Sequence, residues 1–426
     1  MRPTLVRMAL TAQQIATVKS TAPVVKQYGK TITTTFYKNM LSAHPELKNY
    51  FSLKNQQSGA QSAALANAVF AYASYIDDLP KLSGAVERIA QKHASLFIKP
   101  DQYPIVGKYL VGAFAEVLGN ALTPEVAEAW VAAYGQLADI FIQREKQLYS
   151  DAGEWQSWRP FRIAAKEAET DNIISVYLEP VDGKPLPAFR PGQYISLQIP
   201  LPELDGLLQN RQFSLSIAPE ENMKQYRVSV KKEAIEPYTI EDLAEGRVSG
   251  IVCNRLHDQY KVGDVVNISP PRGEFFFDDA AVPPTAPVVL LSAGVGATPL
   301  VSILDSILKS PNATRPVTWA HAARHADSVC FGKHIRDIVA STSNVRSALF
   351  VKNVKDVDEE GRHYDFAGSM NIDKLAEQGA LYLDDKTAEY YLCGPEEWMI
   401  KMRDELTSKG IDVERVHLEV FRTGDV

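Results

Sequence analysis

The chain has 426 residues, 45% of them hydrophobic and 23% charged, with a formal net charge of −7. That length holds several cores, and the acidic balance argues against nucleic acid as a partner, because phosphate binding needs a basic surface. Cys253, Cys330 and Cys393 lie far apart without a CxxC pair, which predicts neither a disulfide framework nor a cysteine metal site, and no apolar run is long enough to predict stable membrane insertion.

The first part of the chain, residues 1–150, reads as helices. No acidic residue precedes Glu46, whereas Arg2, Arg7, Lys19, Lys26, Lys30 and Lys38 are basic. Such a start is either a mitochondrial transit segment or a short extension before a first helix opening near Met8. The helical pattern from Thr11 onward favours the second and a cytoplasmic chain. Ala-rich segments with helical apolar spacing follow at Ala63 to Ile76, Lys81 to Phe97, Tyr103 to Leu118 and Pro124 to Tyr149, punctuated by Pro45, Pro80, Pro100 and Pro124. In the second segment Val86, Ile89, Ala90, His93 and Phe97 share one helical face, so an imidazole points where a core residue belongs. On its own this fits a hydrogen-bonded core histidine better than a metal ligand. The run from Tyr149 to Trp155 breaks the pattern and predicts a linker.

Residues 151–283 change to a period of two. Ile195, Leu197 and Ile199 alternate with Ser196 and Gln198, and Val228 and Val230 alternate with Ser229 and Lys231. The turns Arg190-Pro191-Gly192, Val262-Gly263-Asp264 and Pro270-Pro271-Arg272-Gly273 separate such runs, which predicts an antiparallel sheet or barrel. Residues 284–426 change again. Val288 to Leu291 reads as a strand buried on both faces and leads into Gly294-Val295-Gly296-Ala297-Thr298-Pro299 and a helix. Tyr390-Tyr391-Leu392 leads likewise into Cys393-Gly394-Pro395 and a helix. Strands alternating with helices predict a parallel, doubly wound sheet.

The glycine turn after Leu291 offers free N–H groups and a helix dipole to an anion, and Gly294 and Gly296 allow a close approach to a pyrophosphate. A lone GxG after a strand is also consistent with a simple tight turn; the second loop at Cys393-Gly394-Pro395 strengthens the ligand reading, because ligands sit at the carboxyl ends of such strands. In the middle segment, Tyr194 and Arg211-Gln212-Phe213-Ser214 supply an arginine for a diphosphate, aromatics for a ring and a serine for ring heteroatoms.

Together these two sets resemble the ferredoxin-reductase family, in which Arg-x-Tyr-Ser holds FAD and Gly-x-Gly-x-x-Pro with Cys-Gly-Pro holds NAD(P)H. Here Phe213 replaces the usual tyrosine, so a phenol hydrogen bond is absent. With Phe36-Tyr37, Pro45-Glu46-Leu47 to Phe51, Gln61, Leu65, Lys92-His93 and Ile98 to Tyr103 in the helical part, the whole chain resembles the flavohaemoglobins. The resemblance implies an all-α globin, an antiparallel FAD-binding β-barrel and a parallel α/β NAD(P)-binding domain. It implies a monomer acting on O2 and NO with haem b, FAD and NADH or NADPH, and oxidising NO to nitrate as a nitric oxide dioxygenase. Two alternatives remain open: a haem-based O2 or NO sensor, and a flavin–haem reductase acting on peroxides or other acceptors.

The resemblance also implies roles. His93 ligates haem iron, with Tyr103 and Glu145 behind it. Glu145 shares a helix face with Leu137 and Phe141, although a solvated charge near a helix end has the same spacing. Tyr37 and Gln61 lie on the oxygen side, Leu65 and Phe51 line the pocket, and Lys92 lies near the flavin–haem junction. Val420 and Phe421 end over the flavin. The family's Phe-Gly-Pro is Phe421-Arg422-Thr423 here, and its Ser-Asn near the FAD diphosphate is Cys253-Asn254. Arg324, after the second strand of the last domain, is placed to pair a 2′-phosphate, which predicts use of NADPH as well as NADH.

Overall fold

Thr11 opens the first helix with a capping box: its hydroxyl accepts from Gln14 N–H while Gln14 accepts from Thr11 N–H. The computed structural model describes residues 9–421. Arg422 and Thr423, and the residues before Ala9 that bear on a transit segment, lie outside that range.

Six α-helices form the first unit: α1 (Ala12–Ala43), α2 (Leu53–Gln57), α3 (Ala60–Tyr75), α4 (Ser83–Ser95), α5 (Tyr103–Leu118) and α6 (Pro124–Asp151). Pro45, Pro80, Pro100 and Pro124 all sit in first turns of α- or 3-10 helices, where a missing N–H costs nothing. Pro23 instead lies inside α1, which continues through it. α6 runs two residues past the expected break at Tyr149 before the chain turns. Two apolar clusters hold this unit, one around Ile32, Phe36, Met40 and Phe114 and a smaller one around Ala90, Ala94, Tyr103 and Phe141.

The second unit is an antiparallel sheet of β1 (Arg159–Thr170), β2 (Ile173–Pro180), β3 (Tyr194–Leu201), β4 (Leu207–Ser214), β5 (Tyr226–Lys231) and β6 (Val265–Ile268), in the order β4-β3-β6-β1-β2-β5. The edge strands meet through the Leu215–Val228 bridge, which closes the sheet into a barrel. Helices α7 (Ile240–Ala244) and α8 (Ile251–Asp258) lie between β5 and β6. Ile195, Leu197 and Ile199 fill the barrel as their alternation predicts.

The third unit is a parallel sheet: β7 (Val288–Ala293), α9 (Ala297–Lys309), β8 (Val317–Ala323), α10 (Gly332–Ser341), β9 (Val345–Val351), β10 (Phe366–Ala367), α11 (Ile372–Glu377), β11 (Glu389–Cys393), α12 (Glu396–Ser408) and β12 (Val416–Glu419). Its order, β10-β9-β8-β7-β11-β12, reverses direction between β7 and β11, so the loops leaving those two strands flank the switch point where ligands bind in such sheets. No described helix is long and apolar enough to cross a membrane.

Candidate functional site

His93 lies in the last turn of α4, and Glu145 reaches it from α6. The Nδ1···Oε1 distance is 2.8 Å, and the Tyr103 hydroxyl donates to the same carboxylate oxygen at 2.5 Å and lies 3.1 Å from Nδ1. Glu145 is 1% exposed, so the inward reading of its helix face holds and the solvated one does not. A carboxylate carries no proton to give, so Nδ1 is the donor, and in the neutral imidazole Nε2 then keeps its lone pair. Nε2 has no hydrogen-bond partner among the described residues, and the His93 side chain is 33% exposed. Burial, and then the adjacent Glu145 charge, raise the Tyr103 pKa, so the phenol stays a donor.

In the larger apolar cluster of the first unit, the Tyr37 ring packs edge-on to Phe51 at 5.4 Å, and Gln61 Nε2 donates to Tyr37 Oη at 3.2 Å. That bond occupies the phenol oxygen as acceptor and leaves its own O–H to be donated elsewhere. Burial raises the Tyr37 pKa. Phe51, Leu65, Val86 and Ile89 stay only half buried although they pack against covered apolar clusters. Incompletely covered apolar walls, an imidazole with a free Nε2 and an orientated phenol O–H fit a planar apolar group with an iron centre.

Lys92, next to His93, is half buried, and its pKa falls to about 8, first through burial and then through the Arg211 guanidinium. Arg211 belongs to β4 of the barrel, so α4 and the Arg211–Ser214 strand face one another across the junction between the first two units. Ser214 Oγ is buried without a hydrogen-bond partner among the described residues, and Phe213 half-packs on the barrel core. Tyr194 is buried, which raises its pKa. An orphaned hydroxyl beside an arginine and two aromatics fits a flavin. A cleft of about 590 Å³, lined by Lys232, Glu233, Tyr238, Asn254 and Arg255 among others, opens by α8. Asn254 is committed there: its side-chain amide exchanges two 2.9 Å hydrogen bonds with the Glu233 backbone. Burial pushes the neighbouring Cys253 thiol up to about 11.

The loops at Gly294 and Cys393 in the third unit interlock. A Cβ on Gly296 would lie 2.1 Å from the Cys393 carbonyl oxygen. This glycine therefore permits a close approach to the other loop. Gly294 adopts φ +57°, a conformation suited to glycine. Thr298 and Pro299 turn inward in the first turn of α9, with the Thr298 hydroxyl donating to Val295 O at 3.0 Å, while Val295 stays half buried. Val420 is half buried, Phe421 is 47% exposed, and Arg324 is exposed.

Several residues that the sequence reading left aside meet at the junction. Arg88 pairs with Glu274 at 3.2 Å, Gln91 Oε1 accepts from Gly273 N–H at 3.1 Å, and Ser196 donates to Ser95 at 2.8 Å. Arg272, read as part of a turn, is buried with Nε and Nη2 unpartnered among the described residues. Glu419 is also buried, and burial, reinforced by Glu274, raises its pKa well above the carboxylate range. Only the polar residues of a strand face expected to meet solvent could have signalled this contact.

A globin pocket, a barrel facing it and a switch-point crevice on one chain define an oxidoreductase with a haem end and a nucleotide end. The family model described as Globin matches residues 34–141, and the one described as Oxidoreductase NAD-binding domain matches residues 290–404. The flavohemoprotein of Bordetella pertussis is 44% identical over 415 residues, 96% of this chain and 98% of its own length. That of Rhizobium meliloti is 43% identical over 408 residues, 95% and 96% of the two chains. The crystal structure of a flavohemoglobin from Malassezia yamatoensis with bound FAD and heme superposes with a TM-score of 0.82 at 28% identity, covering 97% of this chain and all of that one. The FAD/NAD-binding domain of a nitric oxide dioxygenase from Vibrio cholerae is 31% identical with a TM-score of 0.50, covering 62% of this chain and 98% of that one. The chain belongs to the flavohemoprotein family.

Proposed function

We propose that this flavohemoprotein converts nitric oxide and O2 to nitrate at the expense of NAD(P)H. Its cofactors are haem, FAD and NAD(P)H. When bound, they supply hydride acceptance, its division into single electrons, and an iron centre for O2. The chain's own residues do the rest. Glu145, itself held by Tyr103, accepts the Nδ1 proton and makes His93 a stronger donor through Nε2. Tyr37, orientated by Gln61, gives its O–H to the oxygen side. Phe51 and Leu65 exclude water. Arg211 and Ser214 hold the flavin, with Tyr194, Gln212 and Phe213 around its ring system and Phe421 over its open face. The Gly294 and Cys393 loops hold the nicotinamide nucleotide, and exposed Arg324 allows NADPH as well as NADH.

The observation that carries this reading is the 2.8 Å contact between His93 Nδ1 and buried Glu145. An anionic partner on the proximal imidazole pushes electron density toward the iron, which oxidation chemistry uses and reversible storage does not require. A sensor would also have no use for the nucleotide domain. The test follows NO, NADH and nitrate together in air-saturated buffer. The reading expects one NADH consumed for every two nitrates formed; NADH oxidation that is indifferent to NO and yields peroxide would favour the reductase alternative.

A further inference from the structure

β3 alternates Ile195, Leu197 and Ile199 with Ser196 and Gln198. The polar set would ordinarily meet water, yet Ser196 is 0% exposed. What covers it is the end of α4, where Ser95, two residues beyond His93, is also 0% exposed. Across the two units the Ser196 hydroxyl donates to Ser95 Oγ at 2.8 Å. The bond continues both ways. Gln212, directly opposite Ser196 in the β3–β4 ladder, donates from Nε2 to Ser196 Oγ at 3.0 Å. Ser95 donates to the Lys92 carbonyl at 2.8 Å, and Lys92 is joined by a peptide bond to His93.

Three hydrogen bonds thus run in one direction, each hydroxyl accepting from one side and donating to the other, an arrangement whose members polarise one another. They connect Gln212 of the Arg211–Ser214 strand to the residue before the proximal histidine, through a dry contact.

We propose that Ser95 and Ser196 form the positioning bridge that holds the proximal helix against the flavin strand, and that the flavin-to-haem electron follows this path. This rests on reading His93 as the haem ligand and Arg211–Ser214 as the flavin strand. With both cofactors bound, each passage would oxidise the flavin by one electron and reduce ferric iron to ferrous, and NAD(P)H would supply the pair. Neither serine need touch a reacting atom, so the pair sets distance and coupling rather than chemistry.

The test uses full-length holoprotein carrying Ser95→Ala, Ser196→Ala or both, mixed with NADH in the absence of O2 and NO, with flavin and haem bands followed separately. Flavin reduction is expected within about twofold of the parent in all three. Haem reduction is expected to slow about five- to tenfold in each single variant, the equivalent of one lost buried hydrogen bond. The double variant should be slowed by less than the product of the two single effects, because both single variants break the same Ser196–Ser95 bond. Midpoint potentials should stay unchanged, while amide exchange at Leu96–Ile98 should quicken. Haem reduction at the parent rate in both single variants, effects that multiply in the double, or a shifted haem potential that accounts for the slowing would overturn the proposal. Should Ser95→Ala load haem poorly, Ser196→Ala, in the other domain, answers the question by the same rates and exchange. Without NO in the cuvette, failure here is separate from failure of the nitrate assay, and absence of a haem band would contradict the ligand reading itself.

Discussion

The proximal triad divides its roles by proton count. Glu145 has none to give, so both His93 Nδ1 and Tyr103 donate to it, and in the proposed reading one carboxylate would orientate the ligand and make it more basic. Glu145→Gln keeps the shape but removes the charge, and its amide can present the wrong group to Nδ1. Turnover is expected to fall about ten- to hundredfold, as for other residues that orientate a metal ligand, with haem still bound and the iron–histidine stretch in resonance Raman shifted to lower frequency. An unshifted stretch would show that Glu145 does not act through His93. On the opposite side, Tyr37→Phe removes one donor in a buried place; O2 dissociation from the reduced protein is expected to quicken about tenfold, one hydrogen bond's worth. An unchanged dissociation rate would remove Tyr37 from the oxygen side.

Among the elements, the interlocked loops of the third unit make the sharpest case. Gly296→Ala places a methyl on the Cys393 carbonyl, 2.1 Å away, and backbone cannot yield as a side chain can. We expect a loss of about 1–3 kcal/mol in that domain and slow flavin reduction by NADH, with haem bands unaltered; a variant reduced at the parent rate would show that the two loops move independently. Element types were legible where the period was strong. Tyr103 to Leu118 is read with the same ends it adopts, and the barrel-filling Ile195, Leu197 and Ile199 follow from alternation alone. The polar half of that alternation carried no such signal, because a local pattern cannot say that another domain supplies the cover. Ser196 and Gln209 are buried and bonded to the first unit. Of the candidate site, the structure brings His93, Tyr103 and Glu145 into one hydrogen-bonded set and Tyr37 and Gln61 into another. Residues that matter only across the junction, Arg88, Ser95, Arg272 and Glu274, carried no local signal.

Between the first two units, a set of polar contacts crosses the junction. Asn49 accepts from Leu208 N–H at 2.8 Å and from Asn210 Nδ2 at 2.6 Å, and Gln209 bonds both Phe51 O and Leu53 N–H. Such an interface fixes orientation through geometry, which suits an electron path between two cofactors. Stability should also depend on pH through a buried group far from the haem. His321 on β8, hydrogen-bonded to Ser292 at 2.7 Å, is held at a pKa of about 4 by burial. The unfolded imidazole takes its proton near pH 6.5. Between those values the unfolded chain binds more protons, so stability falls as pH drops from about 6.5 to about 4, by about 3 kcal/mol at most from this residue. His321→Asn should flatten that slope in urea titrations across the window; an unchanged slope would assign the acid sensitivity elsewhere.

In the proposed reading, His93 would hold the haem iron and both oxygen atoms of O2 would pass to NO there. This central claim is tested most directly by supplying 18O2 and unlabelled NO to the NADH-reduced protein and weighing the nitrate. The account predicts nitrate carrying two heavy oxygens, with the yield lost in His93→Ala. Unlabelled nitrite as the main product, or labelled nitrate formed equally well without His93, would contradict it.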